Sequence, residues 1–133
     1  LRRPYPEELR GGEDVAVFAH LLVSAPVAVT HEPLARIHKH PDSLRHNREN
    51  AEQRALLMVS EVFASLPTEC QALRIDYEAQ RYLSLFRAAL SAYDRSAALR
   101  CYRRAWQLSP RQALRWRYLN KAIRVLACPR GQK

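Results

Sequence analysis

Apolar residues recur at three- and four-residue steps along most of this chain, and that period predicts helices. The first such stretch follows Gly11-Gly12-Glu13-Asp14. Val17, Leu21 and Ser24 fall on one side of it, with Phe18, Leu22 and Ala25 beside them, which predicts a helix over about residues 13–24. Pro26 then forces an extended entry. Val27-Ala28-Val29 is short, rich in β-branched residues and bounded by turn signals, so it predicts a strand. Glu32-Pro33 turns the chain, and Leu34 to His38 predicts a second strand or an extended edge. Residues 1–12, with Pro4 and Pro6, read as loop.

From Ser43 onward the helical period dominates. Leu44, Asn47, Ala51, Arg54, Ala55, Met58, Val62 and Leu66 trace a helix over about 45–66, which Pro67 ends. Thr68 is the candidate N-cap of a second helix that carries Leu73, Tyr77, Leu83, Phe86 and Leu90 to about residue 92. Asp94 caps a third, with Leu99, Tyr102, Trp106 and Leu108. Ser109-Pro110 reads as an N-cap followed by proline at the first helical position. The last predicted helix runs over about 110–127, with Trp116, Leu119, Ile123 and Leu126 on one side. The expected fold is therefore mostly α: a small α/β part over 1–44, then an antiparallel four-helix segment over 45–133.

Charge divides the chain differently. Residues 1–94 hold 11 Lys/Arg and all 13 Asp/Glu, whereas residues 95–133 hold the other 11 Lys/Arg and no acid. That asymmetry points to an anionic partner for the tail. Arg103, Arg104, Arg111, Arg115, Arg117, Lys121 and Arg124 interleave there with Trp106, Trp116 and Tyr118. Three readings are open: a solvated face, an anionic membrane surface, or a nucleic acid. Against the last, no helix-turn-helix, zinc or RNA-binding signature is present. No apolar run is long enough to span a bilayer, and the first six residues lack the apolar core of a signal peptide. Cys70, Cys101 and Cys128 match no zinc spacing, so reduced thiols in a cytosolic protein are expected.

Glu13 and Asp14 sit where the helix macrodipole and unpaired N–H groups favour negative charge. A carboxylate held there can act as a general base. Equally, Asp14 can be an N-cap and Glu13 a dipole complement. His38 and His40 stand two apart; on an extended segment both imidazoles point to one face, which suits a metal ion. The alternative is a basic surface edge beside Arg36 and Lys39. His20, His31 and His46 have no supporting neighbours in the sequence.

Gly12-Glu13-Asp14, then Glu32-Pro33-Leu34, then His40-Pro41-Asp42-Ser43 follow one another in an order and spacing that resemble the C-terminal end of the catalytic domain of family 2 glycosyltransferases. These are inverting enzymes of the GT-A fold. The resemblance covers about residues 5–47, with His38 standing where the family usually has Arg. It implies that the α/β part is the remnant of a GT-A domain, and that Asp14 is the base that deprotonates an acceptor hydroxyl. Glu13 would then orient the acceptor or support Asp14. The implied partners are a nucleotide-sugar donor and a glycan or lipid-linked acceptor. The implied cofactor is a divalent ion, Mg or Mn, that neutralises the leaving diphosphate, with His40 and His38 as its contacts. The nucleotide-binding half with its Asp-x-Asp element is not in this sequence, so the chain is expected to be a fragment of a longer polysaccharide-building enzyme, inactive alone. The expected location is cytoplasmic, peripheral on the inner face of the membrane where the basic tail binds lipid.

Two rival functions remain. Ala98-Leu99-Arg100-Cys101-Tyr102-Arg103-Arg104-Ala105-Trp106-Gln107-Leu108-Ser109-Pro110 resembles the second helix of a tetratricopeptide repeat, which would suit a non-catalytic interaction module. One such unit is too few for a stacked core. The basic tail alone would suit a helical nucleic-acid-binding protein.

Overall fold

A computed structural model of the chain describes residues 12, 14–36, 38 and 50–127. It is mostly helical: α1 (Asp14–Ser24), α2 (Ala51–Ser65), a 3-10 helix (Thr68–Leu73), α3 (Arg74–Ser91), α4 (Arg95–Leu108), α5 (Pro110–Ala113) and α6 (Trp116–Ala127). These fall into two compact units, Leu1–Gln71 and Ala72–Lys133.

In the first unit α1 packs on α2. The buried residues belong to α2: Ala55, Val59, Val62 and Phe63 recur at helical spacing on one face. None of α1 is fully buried, and Phe18, Leu21, Leu22 and Val23 are exposed. His20 ties the two helices together. Its Nδ1 donates to the Ser65 carbonyl (3.2 Å), which leaves Nε2 to accept from the Ser24 hydroxyl (3.3 Å). Gln71 Nε2 donates to the Phe63 carbonyl (2.8 Å) and holds the chain after Pro67 against the end of α2.

The expected strands are not found among the described residues. Val27-Ala28-Val29 is irregular and exposed, as are residues 30–36 and His38. β-Branched composition records how well a residue fits a pleated surface, but a strand exists only where a second strand takes its N–H and C=O groups. No described neighbour does so here. The expected loop over 1–11, the Pro41-Asp42 turn and residues 45–49 of the expected helix lie outside the described residues.

The second unit has a closed core. Tyr82, Leu83 and Phe86 from α3 meet Ala98, Cys101 and Ala105 from α4, and α6 adds Ala122. Small residues on α4 opposite large ones on α3 let the two helices approach closely. Phe86 and Tyr102 stack at 5.1 Å between centroids. The hairpin between α3 and α4 is tight. Tyr93 N–H donates to the Leu90 carbonyl and Asp94 N–H to the Ala89 carbonyl, both at 3.0 Å. This is the double bond of a Schellman ending, with Tyr93 in the left-handed region at φ 57° where glycine is usual.

Two expected helices end differently from the periodicity. Residues 68–73 form the tighter 3-10 helix, with Cys70 N–H donating to the Pro67 carbonyl. The stretch over 110–127 is divided into α5 and α6. The Tyr102 hydroxyl donates to the Ala113 carbonyl (3.1 Å), occupying the acceptor a continuous helix would use. Ser109 stands at the N-cap of α5, yet its hydroxyl donates to Asp76 Oδ1 (2.7 Å) and anchors the start of α3 instead.

Candidate functional site

Asp14 is the first helical residue of α1 rather than its N-cap. Buried Gly12 precedes it, and the Gly12 carbonyl accepts from Val15 N–H at 3.2 Å. The Asp14 side chain is exposed, and no described residue hydrogen-bonds its carboxylate. The cap role is therefore not the one its carboxylate plays. What the described residues leave to it is an exposed position at the positive end of α1, which favours an anion there.

The other aspartate at a helix start behaves oppositely. Asp94 Oδ1 accepts from Ala97 N–H and from the Ser96 hydroxyl, both at 2.9 Å. The Ala97 N–H, then the Ser96 hydroxyl, hold its carboxyl below the usual carboxylate range. That carboxylate is committed to capping α4.

The remaining expected site residues divide by what the structure describes. Glu13 and His40 lie outside the described residues. His38 is exposed. Among the described residues no three His, Cys, Asp or Glu side chains group to hold a metal ion. Cys70 is half-buried and Cys101 buried. His20, which had no supporting neighbour in the sequence, is the hydrogen-bonded bridge between α1 and α2. Its partner Ser65 lies 45 residues away, so no local pattern could have found it.

Of the basic residues of the tail, the seven that interleave with its aromatics are exposed: Arg103 and Arg104 on α4, Arg111 on α5, Arg115 between helices, and Arg117, Lys121 and Arg124 on α6. The Arg117 guanidinium carbon lies 5.4 Å from the Tyr118 ring centroid, a cation–π distance. Where α6 meets the α3–α4 hairpin, Leu90, Tyr93, Arg95, Arg124 and Val125 line a cavity of about 310 Å³. Arg95 Nη2 donates to the Leu126 carbonyl at 3.4 Å beside it. Among the described residues no helix is long and apolar enough to cross a membrane.

Comparison with known proteins gives no family model, no curated protein and no solved structure that matches this chain.

Proposed function

We propose that the chain is the C-terminal, acceptor-side portion of an inverting glycosyltransferase of family 2, the end of a GT-A domain continued by helices. The observation that carries the reading is Asp14. The ordered motifs put the base at this residue, and its carboxylate stands exposed at the positive end of α1 with no described partner. The apolar residues that α1 leaves exposed suit a helix built into a larger α/β domain.

In this mechanism the Asp14 carboxylate accepts the proton of an acceptor hydroxyl. The freed oxygen attacks the anomeric carbon of a nucleotide sugar from the face opposite the diphosphate. The bond from that carbon to the diphosphate oxygen breaks, and the diphosphate leaves with its electron pair. Attack from the opposite face inverts the anomeric centre. General-base positioning of this kind contributes about 10²–10⁴-fold in rate. A divalent ion, when bound, supplies positive charge to the leaving diphosphate. The described residues assemble no metal group, and no step here is routed through one.

The test is transfer by the protein expressed from its complete reading frame, assayed against a panel of nucleotide sugars and hydroxyl acceptors. Release of nucleoside diphosphate that depends on acceptor, with an inverted product by NMR, is expected. Retention of configuration, or no turnover of any donor, overturns the reading.

A further inference from the structure

The helix α6 carries three faces along its 12 residues. Ala122 and Tyr118 turn toward the core of their unit, and half-buried Val125 lines the cavity beside Leu90 and Tyr93. Trp116, Ile123 and Leu126 form a second strip that stays exposed at 72%, 50% and 62%. Arg117, Lys121 and Arg124, spaced four and three residues apart, form a third strip beside it, also exposed. No acidic residue occurs anywhere after Asp94. At 1.5 Å rise per residue the apolar strip runs about 15 Å along the surface and the basic strip about 10 Å.

An apolar strip this exposed on a folded unit marks a contact surface. The cations fix the kind of contact. A nucleic acid would meet the guanidinium and ammonium groups and stack on Trp116, but it offers nothing to Ile123 and Leu126. A purely polar acidic surface leaves the same aliphatic side chains in water. An anionic lipid surface satisfies both strips at once. Indole and aliphatic groups enter the boundary between headgroups and acyl chains, about 5–10 Å deep, while basic side chains stay with the lipid phosphates. We propose that α6 is a lipid-contact helix that lies in the plane of an anionic membrane surface. The inference rests on the exposure and charge of α6 and not on the glycosyltransferase reading.

The test uses the 133-residue chain with Trp106→Phe, so that Trp116 is the one remaining indole. Vesicles are either mixed phosphatidylglycerol and phosphatidylcholine or phosphatidylcholine alone. The expected result is co-sedimentation with the mixed vesicles and a blue shift of Trp116 emission, both reversed by added salt. Salt acts because the attraction fades beyond a Debye length of about 8 Å. Each basic residue near such a surface contributes about fivefold in affinity, so Arg117→Gln, Lys121→Gln and Arg124→Gln together should weaken binding on the order of a hundredfold. All three side chains are exposed, and circular dichroism should show the variant folded. Ile123→Gln should also weaken binding while leaving its salt dependence in place. Failure to bind mixed vesicles overturns the proposal. So does binding without a Trp116 shift, which would mean charge contact alone. Tight binding to a single-stranded RNA with none to vesicles would transfer the surface to nucleic acid and overturn it as well.

Discussion

Among the described helices, α1 has an aspartate as its first residue and α4 has one as its N-cap, and the surroundings of the two differ. Asp94 heads α4, whose Ala98, Cys101 and Ala105 are buried in a closed core. Its carboxylate takes two hydrogen bonds and is held in its charged form by them. Asp14 heads α1, which buries no residue fully. Its carboxylate is exposed and hydrogen-bonded to nothing described. Where a charged group is tied into its own helix, it serves the fold. Asp14 has no such tie among the described residues, and the proposed function makes it the base.

The sharpest stability contrast lies in the aromatic residues of the two regions. Phe86 is fully buried against α4, and Phe86→Ala should cost about 3–5 kcal/mol. Phe18 on α1 is 58% exposed, so Phe18→Ala should cost only about 1 kcal/mol by burial. Urea unfolding of each variant checks the pair. A large loss at Phe18 would show that α1 is held by a core as firm as that of α4.

At the two helix heads, Asp94→Ala should lower the melting temperature, and Asp94→Asn should restore most of it, since Asn caps nearly as well. The sign with pH follows from the lowered carboxyl. Its stabilisation is present above the ordinary aspartate value and is lost as pH falls through the lowered one. Thermal melts across the acid range should show this loss in the parent and not in Asp94→Ala.

Smaller still is the effect of Tyr93. Its side chain is 96% exposed, and its backbone sits in the left-handed region. Tyr93→Gly should therefore raise stability by about 0.5–1 kcal/mol, by removing the Cβ clash and despite the freer unfolded chain. A loss on this substitution would mean that Tyr93 packs on something its exposure does not reveal.

These contrasts also mark what a sequence displays. The helices were legible because their apolar spacing is local: α4 and its Asp94 cap can be read within a few residues. The break between α5 and α6 was not, and the bond that accompanies it, from the Tyr102 hydroxyl to the Ala113 carbonyl, joins residues 11 apart. Ser109 is the N-cap residue of α5 with Pro110 behind it, as the local pattern says, but the partner of its hydroxyl is not local: Asp76 lies 33 residues away. Val27-Ala28-Val29 carried a strand signal without a strand, because composition cannot supply a pairing partner. At the candidate site the sequence placed Asp14 at a helix start. The structure adds that Asp14 is the first residue of α1 and is exposed, which the local pattern did not separate from an N-cap.

The most direct test measures the two aspartates side by side in the protein expressed from its complete reading frame. Asp14→Asn and Asp94→Asn are each assayed for transferase turnover, donor binding and thermal midpoint. Asp14→Asn should lower turnover at least about a hundredfold with donor binding and melting nearly unchanged. Asp94→Asn should leave turnover intact. A folded Asp14→Asn protein that turns over normally would contradict the account, and Asp14 would then be a charge at the end of a helix and nothing more.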